Sequence, residues 1–396
     1  MMKKSVLIMT SICLVLMFAC MSAYAAPTAP KTIKIGIMVS FTGPDGMVGI
    51  PAKNGYELAV EKVNKDGGVY VKEYGKKIPL ELVIMDMETD PEKAVARAEA
   101  LNQAGVSVVC GTTLMSATSD IFEKNKLPAI TSLVTTVGLF QRGFKYYFGI
   151  SKMNDGVVDA IYAVFANIPK GQRPTKWAIW QEQTDWIAEL FDLARQKAPA
   201  QSITFVYDSK YPMLTQDVSP LILEAKKASA EVIFSAPVPP DAITMLKQMK
   251  ELDYHPKAII MIRACDDPAW VKMTGPMGDY VIGAPDWHPA LKYPGVKEFN
   301  AAYKAKFGEE THITAGNAYA SIQIAAAAIE KAGSLDRTKI RDAIANIDMM
   351  TVYGPVKFKN GRRVYAPPVV TQWQKGIMEM IWPDDMKTKA MIYPMP

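Results

Sequence analysis

The chain is poor in the residues that usually do chemistry. Its 396 residues include only three histidines, His255, His288 and His312, and none stands at metal-ligand spacing from another histidine or a cysteine. His-Glu-x-x-His, Gly-x-Ser-x-Gly, Gly-x-x-x-x-Gly-Lys-[Ser/Thr] and a post-strand Gly-x-Gly-x-x-Gly are all absent. Those absences argue against a zinc protease, a serine hydrolase and a nucleotide or dinucleotide site. There are four cysteines, of which Cys13 and Cys20 fall in the N-terminal leader. Cys110 and Cys265 lie in different halves of the chain, which favours two buried thiols over a disulfide. Cys110 has hydroxyl neighbours but no local histidine, so a thiol nucleophile is not expected. The net charge is only +5, two of it from Lys3 and Lys4, which points to no nucleic-acid partner. The expectation is therefore no catalytic residue, no metal and no cofactor.

The leader is explicit. Lys3-Lys4 form a basic head, Val6 to Cys20 an apolar run, and Ala23-Tyr-Ala25 a small-x-small box before Ala26-Pro27. This predicts a signal peptide over residues 1–25 and export to the periplasm. The run is short for a bilayer, which weakens a membrane-anchor reading. Met17-Phe-Ala-Cys20 is an imperfect lipobox, leaving a lipid-anchored form as the lesser alternative.

From Thr32 onward, strands and helices alternate. Ile33, Ile35, Ile37 and Val39 repeat with period two, the mark of a strand. A helix follows through Tyr56, Val60 and Val63 to Gly67-Gly68. Ile78–Asp86 reads as a strand, then Pro91 opens a helix closed by Gly105. Val106–Asp120 reads as strand, hydroxyl-rich loop and helix, with Ser116 as a candidate N-cap. Leu127–Thr131 is a fourth strand. The pattern restarts after Ile150, with strands at Lys176–Trp180, Ile203–Tyr207, Glu231–Ser235, Lys257–Ile262 and Asp279–Gly283. Three helices follow, Val296–Phe307, Ala315–Ala332 and Asp336–Asn346. Short strand-like runs at Pro355–Lys359, Pro368–Gln374 and Ile377–Pro383 end the chain. This order predicts α/β architecture: two Rossmann-like lobes of parallel sheet. No Gly/Ser-rich linker separates them, so several crossings form a hinge.

In such sheets a ligand sits beyond the carboxyl ends of the strands. The candidate contacts are thus Phe41, then Thr112, Thr113 and Ser116, then Ser132–Thr136. Backbone N–H groups and hydroxyls there suit a small anionic or polar ligand. Helix capping is the other reading of Thr112, Thr113 and Ser116, and Phe41 could equally pack in the hinge. On the second lobe, Asp185, Trp186 and Arg263 face that wall, and Trp287, just after the last strand of the second unit, stands at a cleft edge. The alternatives are a cap for Asp185, core positions for the tryptophans, and a surface or ion-pair role for Arg263.

Several blocks resemble one family. They are Ile33-Lys-Ile-Gly with Ser40-Phe-Thr-Gly-Pro44, Asn54–Gly68, Asp86-Met-Glu-Thr-Asp-Pro91, Thr351–Phe358 and Gln372-Trp-Gln-Lys-Gly376. In order and spacing they are similar to the type I periplasmic binding proteins, in particular the Leu/Ile/Val- and amide-binding group of ABC importers. The resemblance implies a Venus-flytrap fold with a three-crossover hinge. The N-terminal lobe would comprise 31–150 plus 284–367 and the C-terminal lobe 151–283 plus 368–396. It implies that Thr112, Thr113 and Ser116 hold a ligand carboxylate, with Leu133, Thr135 and Thr136 beside them. A family tyrosine falls at about Val48, the tyrosine that closes over the ligand at Asp185 next to Trp186, and the acidic partner of the ligand ammonium near Arg263. A guanidinium there would attract a carboxylate instead, whereas a small register shift brings Asp266 or Asp267 to that place. The implied function is capture of a small carboxylate-bearing ligand, branched-chain amino acid-like or an aromatic or aliphatic acid or amide. The protein would be a monomer that hands its ligand to an ABC permease of the inner membrane. Two other classes remain open: a ligand-sensing receptor of the same fold, and an exported α/β enzyme.

Overall fold

The computed structural model describes residues 28–396 apart from 44, 112–113 and 365–367; the whole predicted signal peptide lies outside the described residues. Among the described residues, seventeen strands run in chain order, beginning with β1 (Ile33–Val39), a hairpin of β2 (Val69–Val71) and β3 (Lys76–Ile78), β4 (Leu80–Asp86), β5 (Val108–Gly111), β6 (Ala129–Thr131) and β7 (Tyr147–Gly149). Next come β8 (Lys176–Glu182), β9 (Thr204–Tyr211), β10 (Val232–Ser235), β11 (Ala258–Met261) and β12 (Ile282–Gly283). The last are β13 (Asp348–Thr351), β14 (Gly354–Lys359), β15 (Arg362–Arg363), β16 (Val370–Gln374) and β17 (Ile377–Trp382).

They form two main sheets. The first has the order β13-β14-β15-β7-β6-β5-β1-β4, and the second β17-β16-β12-β11-β10-β8-β9. Neighbours among β4, β1, β5, β6 and β7 are parallel, as are those among β9, β8, β10, β11 and β12. In both sheets only the late strands pair antiparallel. The chain therefore crosses between the sheets three times, after β7, after β12 and after β15. The fold is α/β with two Rossmann-like lobes. In each sheet the strand order reverses beside the first strand, the place where adjacent loops part to leave a crevice.

Burial on both faces explains why the central strands read as apolar runs rather than alternating ones. All of β5, β6, β10 and β11 is buried. On the first sheet, helix Gly46–Lys65 packs against helix Ile313–Ala332, which carries thirteen buried residues. Gly55 permits that approach, because a Cβ there would lie 2.3 Å from the Ala315 carbonyl oxygen. The second sheet packs Trp177 and Phe191 edge-on to Phe234, with centroids 6.1 and 5.0 Å apart. Cys110 and Cys265 are free and buried in separate cores.

Local differences from the sequence reading have simple causes. Ile78–Asp86 is two strands, since Pro79 has no N–H to donate and its carbonyl instead accepts Ile33 N–H. β13 and β15 lie outside the runs read from sequence; β13 is a short edge strand, β15 is a two-residue strand between β14 and β7, and the Asn360-Gly361 turn, both residues at positive φ, folds β14 onto β15. Ser116 is no N-cap: it lies inside a single turn, Met115–Thr118, ahead of helix Ser119–Lys124. Asn154 is the first residue of its helix, and its amide donates to Trp186 O and Glu189. Among the described residues, no helix is long and apolar enough to cross a membrane.

Candidate functional site

A cavity of about 420 Å³ opens where the carboxyl ends of the strands of both sheets face each other, within the range of small-ligand pockets. From the first-sheet side come Asp45 and Val48 after β1, Leu114 and Ser116 after β5, and Leu133, Val134, Thr135 and Thr136 after β6. From the second come Trp186 after β8, then Ile262, Arg263 and Asp266 after β11. Lys152 and Asp286, on two of the three crossings, and Ile313 and Thr314 complete the wall.

The loops are held by contacts the core dictates. Gly49 lets the first helix start directly against β1, since a Cβ would sit 1.9 Å from Ser40 O. Thr314 Oγ1 donates to Val48 O at 3.0 Å. Asn317, fully buried, donates to Ser132 O at 3.0 Å, and Ser132 Oγ to Gly111 O at 3.1 Å. The β5 and β6 loops are thus tied to each other and to helix Ile313–Ala332. Asn154 N–H donates to Thr135 O at 2.9 Å, joining the first crossing to the β6 loop.

Charge in the cavity is paired but unbalanced. Arg263 donates to Glu182, whose side chain is 0% exposed, and to the Ala236 and Pro237 carbonyls. Its guanidinium lies 5.4 Å from the Trp186 ring. Its backbone, at φ +78° and ψ −59°, occupies the rare γ-turn conformation, a strained geometry often kept at binding sites. Asp266 accepts Arg263 N–H and Ala284 N–H at 3.1 and 3.0 Å. Lys152 Nζ stands 3.8 Å from Asp266 Oδ2, both side chains nearly buried. Burial pushes the Asp266 carboxyl above its ordinary range, against the opposing pull of Lys152. Asp286 accepts Lys152 N–H at 3.0 Å and the Tyr353 hydroxyl at 2.9 Å. Asp45, Asp266 and Asp286 line the cavity and Glu182 backs it, against two cations.

Of the residues singled out from sequence, Ser116, Leu133, Thr135, Thr136, Trp186 and Arg263 line this one cavity. Thr112 and Thr113 lie outside the described residues. Trp287, Phe41 and Asp185 do not line it. Trp287 is fully buried: its indole N–H donates to Val352 O at 2.9 Å and its ring packs on Phe299 and Gly316. Asp286, one residue earlier, takes the cleft position. Phe41 packs against the first-sheet core, and its N–H bonds Asp86. Asp185 is the exposed first residue of helix Asp185–Lys197, where a carboxylate complements the helix dipole. The Arg263 guanidinium is an ion-pair partner of Glu182 as much as a wall residue. Sequence reasoning missed Lys152, Asp286 and Asp45. Lys152 follows β7 closely, so the strand-end rule that found Ser116 reaches it too.

Comparison with known proteins accords with this geometry. The periplasmic binding protein family model matches residues 32–376. A Leu/Ile/Val-binding protein homolog of Brucella suis is 26% identical over 393 residues, spanning 92% of this chain and 95% of that one. A branched-chain amino acid substrate-binding protein of Streptococcus pneumoniae, solved with isoleucine, superposes with TM-score 0.76 at 22% identity, covering 89% of this chain and 100% of that one. A solute-binding protein of R. palustris, solved with benzoate, superposes with TM-score 0.73 at 17% identity, covering 88% and 95%. Both structural likenesses concern the fold. A match over most of the chain, on a two-lobed α/β frame with a cleft at its strand ends, places the protein in the periplasmic binding protein family, whose members bind solutes and are not enzymes.

Proposed function

We propose that this protein is exported to the periplasm, captures a small ligand between its lobes, and delivers it as a monomer to an ABC permease of the inner membrane. The reading rests on one observation above the others. Ser116 and Thr135, on loops after β5 and β6, share a cavity with Asp266 and Trp186 of the second lobe. The leader sequence supports export. Strand membership supports lobes of 31–150 plus 284–367 and of 151–283 plus 368–396.

The ligand class follows from the charges. A carboxylate head suits the first-lobe hydroxyls and the backbone N–H groups of Leu133–Thr136. An ammonium suits Asp266 and the excess of carboxylates around it. Val48, Leu114, Leu133, Trp186, Ile262 and Ile313 then receive an apolar side chain. An apolar amino acid of branched-chain type fits these three demands together. An aromatic or aliphatic acid, of the kind held by the R. palustris protein, satisfies the first and third only. Closure is driven by the ligand's better contacts with the closed arrangement.

Titration calorimetry on the mature chain tests this. L-leucine or L-isoleucine is expected to bind with micromolar or tighter affinity, roughly −8 kcal/mol or better. Asp266→Asn should weaken it about 10- to 100-fold, the worth of a charged hydrogen bond. Benzoate binding with no amino acid binding would overturn the zwitterion reading, and unchanged affinity in Asp266→Asn would remove Asp266 from the site.

A further inference from the structure

The three crossings meet at a second cavity, of about 110 Å³, separate from the ligand cleft but sharing Lys152 and Asp286 with it. Ser151 and Lys152 reach it from the first crossing, Asp286 from the second, and Arg362, Arg363 and Val364 from β15 and the start of the third. That volume holds several water-sized groups, and so a four- or five-atom ion.

Two features of its wall are incomplete. Arg363 is 8% exposed, and among the described residues no carboxylate forms an ion pair with it. Its guanidinium donates instead to the carbonyls of Pro355, Tyr353 and Ile150, at 2.9, 2.8 and 3.4 Å, and lies 4.2 Å from the Tyr353 ring. Carbonyl dipoles and a ring face offset a buried charge only in part. Burial accordingly pushes the Arg363 guanidinium below its ordinary value. The second feature is Ser151. It is 4% exposed, and its Oγ has no hydrogen-bond partner, although a buried hydroxyl is normally satisfied. The neighbouring acids are already engaged. Arg362 donates to Asp155, and Asp286 accepts from Lys152 N–H and the Tyr353 hydroxyl.

We propose that this hinge cavity is an effector site for a small oxyanion of the phosphate or sulfate class. Ser151 Oγ–H and the unused N–H groups of Arg363 and Arg362 hold the ion, with Asp286 limiting the charge the site accepts. Its walls belong to all three crossings, so occupancy biases the angle between the lobes. The cavity is formed in an arrangement where the lobes touch: Glu189, on the helix after β8, accepts Val137 and Gly138 N–H of the first lobe, both at 2.9 Å. An ion that binds this arrangement better favours closure by the same factor.

The test uses the mature chain with inorganic phosphate or sulfate, against chloride at equal ionic strength, and no organic ligand. Phosphate and sulfate should raise the melting temperature and shrink the radius of gyration by small-angle scattering, where chloride does neither. Ser151→Ala should leave the melting temperature in chloride within about 1 °C, since the hydroxyl it removes has no partner. It should also bind phosphate at least about fivefold more weakly, the lower end of site couplings, and Arg362→Gln should do likewise. Equal effects of chloride, or unchanged phosphate affinity in both variants, means an adventitious ion only and overturns the site. A melting shift with no change in radius overturns the closure coupling. No readout uses the cleft's ligand, so failure here is distinct from failure of the transport reading.

Discussion

The Arg263–Glu182 pair gives the sharpest prediction, because its two members are unequally exposed. The Glu182 side chain is 0% exposed and that of Arg263 31%. Besides Arg263, the Glu182 carboxylate accepts, among the described residues, only a long bond from Val238 N–H at 3.3 Å, and its other oxygen has no partner there. Removing the guanidinium in Arg263→Gln strands a carboxylate that cannot reach water. Breaking a buried pair in this way costs about 3–5 kcal/mol. Removing the carboxylate in Glu182→Gln leaves a cation that can turn toward the cleft, and a loss nearer 1–2 kcal/mol is expected, in the range of a single charged hydrogen bond. At about 2–4 °C per kcal/mol for a lobe of this size, the two variants should differ by roughly 4–12 °C. Replacing both, as Glu182→Leu with Arg263→Met, should recover most of the loss, since apolar residues need no partner. Scanning calorimetry of the four proteins makes the comparison. If Glu182→Gln is the less stable single variant, or the double variant is as unstable as Arg263→Gln, the pairing argument is wrong.

Other expectations follow from the same geometry. Trp287→Ala should cost about 3–5 kcal/mol, as for other fully buried aromatics, and Gly316→Ala about 1–3 kcal/mol, because its Cβ would meet the Trp287 ring at 2.4 Å. Calorimetry at a temperature where Trp287→Ala is folded should find ligand affinity near wild type; a large loss would return Trp287 to the cleft. His288 Nδ1 accepts Ala290 N–H, which leaves Nε2–H to donate to Met378 O, so the ring is held neutral. Burial lowers its pKa below 6.5, so the unfolded chain takes up the proton first. The stability present above about pH 6.5 should therefore be lost as pH falls, by at most about 1.4 kcal/mol per unit for one proton. Urea midpoints at pH 7.5 and 5.5 should show His288→Gln with a shallower dependence than wild type, and equal slopes would refute this. Burial also pushes both the Cys110 and Cys265 thiols up, so a thiol reagent should label neither in native buffer and both in urea.

The sequence alone carried the frame. Period-two apolar spacing, glycine and proline stops and the alternation of strand with helix are local signals, and they located the two parallel sheets and the loops after β5 and β6. Those loops then held Ser116, Leu133, Thr135 and Thr136 in the cleft, because a strand's direction decides which of its ends faces the crevice. What local pattern does not contain is orientation across tertiary contacts. Trp287 and Asp286 are neighbours in the chain, but Gly316 leaves room for the indole on the core side and the carboxylate takes the cleft. Arg263 has no legible partner in the sequence until β8 brings Glu182 against it, 81 residues away. Lys152, Asp266 and Asp286 likewise acquire meaning only where three crossings converge. Periodicity follows from backbone geometry within one element; the pairing of buried charges follows from which elements meet, and that is decided by packing of the whole chain.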